Sequence, residues 1–169
     1  MEEQELWHEL CLCILSSNVP YEMAKSALVH LSSGNLLDYT QIAQSDAERQ
    51  IAHELAKPIY LPKKKDGSFR KYRFPNVRAT NIVNAGRFLS SEKNGISHIL
   101  CRFDSDIETR EFLIEHIPGI GLKEASHFLR NIKYSDSLAI IDSHIVSFLE
   151  ETLLEENIPV RTINPRVYV

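Results

Sequence analysis

Leu6, Trp7, Leu10, Cys11, Ile14 and Leu15 recur at three- and four-residue intervals, which predicts an amphipathic first helix ending near Ser16 to Asn18. Pro20 follows, and the segment Tyr21 to Leu31 reads as a second helix closed by Ser32-Ser33-Gly34-Asn35. The stretch 39–57 predicts a third helix, polar enough to lie on the surface. The texture then changes. Two short strand-like runs flank Asp66-Gly67 within 59–74, the signal of a β-hairpin, weakened by Pro62. Pro75 opens a helix whose inner stripe is Ile82, Ala85, Gly86 and Leu89. A short helix at 96–103 precedes one over 106–117, for which Asp104 or Asp106 is the expected N-cap. Beyond Pro118, Ala125, Phe128, Leu129 and Ile132 form another buried stripe. A last helix is expected from Asp142 through Ile145, Phe148 and Leu149 to about Leu154. The pattern predicts an all-α fold with one small β-hairpin, no internal repeat, and Trp7 and Phe88 as core residues.

At 169 residues the chain can bury a real interior, and 43% hydrophobic with 25% charged content is globular. The longest apolar run, Leu10 to Leu15, is too short to cross a bilayer. The acidic, amphipathic start "MEEQELWHEL" is unlike a signal peptide, so a cytoplasmic, nucleoid-associated address is expected. Cys11, Cys13 and Cys101 make an odd count with no C-x-x-C pair, and the seven histidines are scattered. A structural zinc or an iron–sulfur cluster would need ligand spacings that are absent. The net charge of −4 argues at first against nucleic acid, but its distribution reverses that. From Lys57 to Arg78 eight basic residues face one acid, a local +7 that leaves −11 for the remainder. Such a focused patch can hold a polyanion, although a solvated lysine-rich hairpin has the same composition.

Ile117-Pro118-Gly119-Ile120-Gly121 joins two helices in a tight turn. The glycines permit positive φ and close backbone approach, and the amides opening the next helix form an anion site at the positive end of its dipole. This is the pattern of a helix-hairpin-helix, which grips nucleic-acid backbone without reading sequence. A plain αα-corner with a C-cap glycine is the simpler alternative. Lys123 lies two residues past Gly121, where the dipole disfavours a cation and so favours the neutral, nucleophilic amine. A lysine touching a phosphate would occupy the same place. Asp142 follows 19 residues later, and one helix plus a return segment can bring its carboxylate back to the hairpin mouth. It is also a good N-cap on its own account.

"PGIGLKEASHFLRN" with "IIDSH" resembles the helix-hairpin-helix DNA glycosylases, and more narrowly the archaeal-type (second-class) 8-oxoguanine DNA glycosylase/AP lyases. "ELCLCILSSN" and "FPNVRATNIVNAGRFL" are similar to that family as well. The resemblance implies a single glycosylase domain over 1–169, with small lobes (1–20 plus 104–169, and 21–103) flanking the active-site cleft. It implies that Lys123 attacks C1′ of the damaged nucleotide, expels the base and nicks the strand by β-elimination, while Asp142 stabilises the sugar cation and assists proton transfer. Gly119 and Gly121 would hold a phosphate, with a monovalent cation on the carbonyls of Glu115, Ile117 and Ile120. His144 would contact phosphate, Asn18 would face the orphaned cytosine, and Lys71 and Arg78 would bind the backbone. The implied partner is double-stranded DNA containing oxidised guanine, met by a monomer with no cofactor and no membrane. The family continues into a final segment, including a terminal lysine carboxylate, that helps read the oxidised base; this chain stops at "INPRVYV". The reaction class is therefore implied more firmly than the lesion. A glycosylase for another damaged base and a non-catalytic DNA-binding module are the alternatives.

Overall fold

A computed structural model of the chain describes residues 1–39, 41–42, 46–92, 95–140, 142, 144–145, 147–148 and 151–152. At its centre is α1 (Glu3–Ser16), whose eight buried residues include Leu12 and Cys13 as well as the expected stripe. It is buried on more than one side because α2 (Tyr21–Ser33), α4 (Pro75–Ser91), α5 (Gly95–Leu100) and α7 (Leu122–Asn131) all pack against it. Trp7 is fully buried, and its Nε1 donates to the Leu37 carbonyl at 3.1 Å, so the ring serves the core. Each large apolar side chain removed from water here contributes about 1.5–3 kcal/mol.

The third helix is shorter than expected. α3 (Ala47–Leu55) begins after a turn in which the Ile42 amide donates to the Asp38 carbonyl at 3.0 Å. That turn drops Ile42 into a notch on α4, where any Cβ at Gly86 would collide with it. Ile82, Ala85, Gly86 and Leu89 form the inner face of α4 as the pattern predicts. α6 (Asp106–His116) is capped by Ser105, whose Oγ accepts the Glu108 amide at 3.5 Å; neither Asp104 nor Asp106 is the cap. Asp106 instead accepts hydrogen bonds from the Ser135 and Ser137 hydroxyls, which tie the segment after α7 back to the start of α6.

The β-hairpin reduces to a single antiparallel bridge, Tyr60 to Arg70, with reciprocal backbone bonds of 3.0 and 3.1 Å. Pro58 and Pro62 lack the amides a longer ladder would use. Its tip closes through Gly67 at φ +81, and Asp66 accepts the Ser68 amide at 2.9 Å. Its root is set by aromatic residues: buried Tyr60 and Tyr72 meet edge-to-face at 6.1 Å, and the Tyr72 hydroxyl donates to the Leu15 carbonyl at the end of α1. Beyond α7, residues 144–145, 147–148 and 151–152 are helical, as expected for a last helix starting at Asp142; Leu149, Leu154 and the terminal segment lie outside the described residues.

Candidate active site and nucleic-acid interface

The hairpin between α6 and α7 is built from the core outward. Ile117 and Ile120 are 1% and 7% exposed and anchor the turn, as their spacing suggests. Gly119 sits between them at φ +87, and a Cβ there would strike the side-chain amide of Asn81 on α4. Gly121 differs: its φ of −113 is open to any residue, and a Cβ there would touch only the Glu124 carboxylate at 3.5 Å. One glycine is required by conformation and the other leaves an open backbone. The Gly121 amide is not free, because it donates to Glu124 Oε2 at 3.3 Å. The amides of Leu122 and Lys123 follow in the first turn, where a helix supplies no acceptors of its own.

Lys123 lies at the second position of α7, half-buried. It opens onto a recess of about 500 Å³ lined by Ser16, Val19, Tyr21, His127 and Asn131 besides Lys123 itself. Lys123, His127 and Asn131 are four residues apart and form one face of α7. Ala125, Phe128 and Leu129 on the opposite face are buried, with Ile132 partly buried beyond them. Asn131 is fixed to α1, its Nδ2 donating to Glu9 Oε1 at 2.6 Å. Below it the Cys13 thiol is pushed well above its ordinary range by burial and by the charges of Glu9 and Glu124, while Lys123 opposes the shift. The cysteine is therefore a neutral core thiol beside the amine.

Asp142 caps the helical turn that follows it, Oδ1 accepting the amides of His144 at 2.9 Å and Ile145 at 3.0 Å. Its carboxyl is held below the usual carboxylate range first by the Ile145 amide, then by His144, with a smaller contribution from the positive charge of Lys123. Amine and carboxylate thus share one electrostatic neighbourhood, yet among the described residues no ion pair within 4.0 Å joins them. Asp142 is not among the residues lining the recess. A larger recess of about 880 Å³, between α2 and α3 around His30, Arg49, His53 and Glu54, contains none of the expected site residues.

Asn18 is exposed in the α1–α2 loop at φ +58, and Val19 beside it lines the recess. Lys71 and His144 are exposed. Arg78, expected to bind the DNA backbone, turns inward instead of standing on the surface. It is 7% exposed, and one guanidinium nitrogen donates to the Ser17 carbonyl at 2.6 Å. Its position one turn into α4, beneath the Phe74 ring, turns the side chain inward to hold the loop that carries Asn18. His127, Asn131, Tyr21 and Asn81 escaped the sequence reading. The first two were available in principle, at i+4 and i+8 from Lys123.

A family model described as 8-oxoguanine DNA glycosylase matches residues 1–169. The chain belongs to that family. Within it, the chain is 37% identical over 150 residues to the 8-oxoguanine DNA glycosylase/AP lyase of Sulfurisphaera tokodaii, covering 88% of this chain and 62% of that one. The crystal structure of Methanocaldococcus jannaschii 8-oxoguanine DNA glycosylase superposes with a TM-score of 0.70 at 35% identity, covering 99% of this chain and 65% of that chain. The same organism's 8-oxoguanine glycosylase/lyase in complex with 15mer DNA containing 8-oxoguanine gives a TM-score of 0.68 at 32% identity, over 98% of this chain and 67% of that chain. The chain thus spans about two-thirds of the length of these family members. Its helical architecture is that of the family.

Proposed function

We propose that this protein is a bifunctional DNA glycosylase/AP lyase that extrudes oxidised guanine from duplex DNA, removes it, and nicks the strand through a Lys123 Schiff base. The observation that carries this reading is the placement of Lys123, on the first turn of α7, opening onto a recess of about 500 Å³ within electrostatic reach of Asp142. That volume is within the range of ligand clefts, about 300–1,000 Å³. Extrusion costs a few kcal/mol, so backbone contacts must hold the bent duplex while the base is out.

Lys123 Nζ attacks C1′ as the bond to the base breaks. Asp142, kept anionic by two amides, opposes the positive charge that develops on the sugar. Phosphate beside the lesion meets the first-turn amides of α7 past Gly119 and Gly121, displacing or sharing the Glu124 contact. His144 and Lys71 supply further phosphate contacts from the surface. Asn18, projecting from a left-handed turn pinned by Arg78, faces the base left unpaired. A monovalent cation would be held by the carbonyls of Glu115, Ile117 and Ile120; of these Glu115 belongs to the last turn of α6, whose final carbonyls lack intrahelical donors. The lobes 1–20 plus 104–169 and 21–103 are consistent with a recess whose walls come from α7 and the end of α1 on one side and Tyr21 on the other.

Borohydride trapping on an 8-oxoguanine duplex tests the reading. A covalent adduct is expected, and Lys123→Gln should abolish it while sparing DNA binding. No adduct, or one that survives the substitution, refutes the proposal.

A further inference from the structure

The proposed chemistry has an unassigned step. After Lys123 has joined C1′, β-elimination needs a base for the C2′ proton. Asp142 is poorly suited to it, because the Ile145 and His144 amides that hold its carboxyl acidic also weaken it as a proton acceptor. His127 lies in the recess itself, one turn of α7 beyond Lys123, where side chains four residues apart have Cβ atoms about 5–6 Å from each other. The imidazole is half-buried. No described contact spends either of its nitrogens on the fold, whereas His30 is tied to Glu54 and His116 to the Phe112 carbonyl.

We propose that His127 is the base of the lyase step, taking the C2′ proton of the Schiff-base sugar. This rests on the Lys123 reading and deepens it. The C2′–H bond breaks and its proton passes to an imidazole nitrogen. The electron pair becomes the C2′–C3′ double bond, conjugated to the C1′ iminium. The C3′–O3′ bond breaks, and the 3′ phosphate leaves with that bonding pair. No oxidant or reductant is needed. Water then hydrolyses the iminium and frees Lys123. The groups facing the imidazole are Lys123 and Asn131 on its own helix and Tyr21 from α2, with Glu9 and Cys13 of α1 behind Asn131. Tyr21, 54% exposed at the start of α2, gives the sugar and imidazole an apolar wall on that side.

The test uses duplexes with a preformed abasic site and the full chain, comparing wild type, His127→Gln and His127→Ala. Both variants should still trap with borohydride to within about threefold, because the Schiff base forms before the proton is lost. Strand nicking should fall about 10²-fold or more, the usual contribution of a positioned general base. The acid limb of the nicking pH profile should flatten, and added imidazole should partly restore His127→Ala. Equal losses of trapping and nicking, or a wild-type pH limb in His127→Gln, overturn the assignment. Absence of trapping in the wild type instead refutes the Lys123 reading itself.

Discussion

Replacing Gly119 by alanine isolates how the hairpin is held. The residue adopts φ +87, and its missing Cβ is the space the Asn81 amide occupies. Two costs follow, and they are separable. An alanine forced into positive φ costs about 1–3 kcal/mol wherever its neighbours are. The collision adds about 1–3 kcal/mol as Asn81 or the turn is displaced, the usual penalty for overpacking. Gly119→Ala should therefore destabilise the chain by about 2–6 kcal/mol, against a total stability of about 5–15 kcal/mol for a typical domain. Asn81→Ala alone should cost much less. In the double variant the collision disappears but the backbone strain stays, so stability should recover by about 1–3 kcal/mol and stop short of the Asn81→Ala value. Urea unfolding with a common slope for all four proteins provides the cycle. If Gly119→Ala is within about 0.5 kcal/mol of wild type, or the double variant matches Asn81→Ala, the positive φ does not constrain this turn.

Three further outcomes concern one cap, one buried arginine and the basic surface. Asp142 has a folded-state pKa lowered from its ordinary value, so its contribution is present above that ordinary value and is lost as pH falls through the depressed one. Asp142→Asn keeps a capping oxygen but removes the titration; its urea midpoint should fall less between about pH 5 and 2 than that of wild type, and parallel curves would count against the cap. The two basic residues named for DNA should separate by burial. Arg78→Ala should lose about 1.5–3 kcal/mol of stability as its hydrogen bond to the Ser17 carbonyl disappears. Lys71→Gln, and Gln at Lys63, Lys64 and Lys65, should leave stability within about 0.5 kcal/mol and reduce the salt slope of DNA binding by about 0.9 for each phosphate no longer neutralised. A slope unchanged across the lysine set would remove the hairpin from the interface.

How much was legible in the sequence depended on whether local spacing carried the information. The α1, α4 and α7 stripes were readable because a helix that buries one face must repeat its apolar residues every three or four positions. The hairpin glycines were readable as a turn, but only Gly119 adopts a left-handed conformation, and the space its missing Cβ leaves is taken by Asn81, 38 residues upstream. α3 was overextended because the polar pattern before Ala47 is helix-compatible, whereas the packing of Ile42 against Gly86 is a tertiary event. The inward turn of Arg78 is illegible for a related reason. In a stretch carrying eight basic residues, nothing local marks the one whose guanidinium turns inward to a carbonyl at the end of α1.

The strongest coupling between fold and chemistry lies in α7 itself. Ala125, Phe128 and Leu129 fix the helix against the core, and the opposite face presents Lys123, His127 and Asn131 to the recess. A rotation of the helix about its axis that moved the amine away from the recess would also expose Phe128, a cost of about 1.5–3 kcal/mol for that ring alone. The Asn131–Glu9 bond opposes the same rotation from α1, and Ser135 and Ser137 tether the following segment to Asp106. The buried stripe thus sets the direction in which the reactive face points. Substitutions in that stripe should therefore alter trapping and nicking together, whereas changes at His127 should divide them.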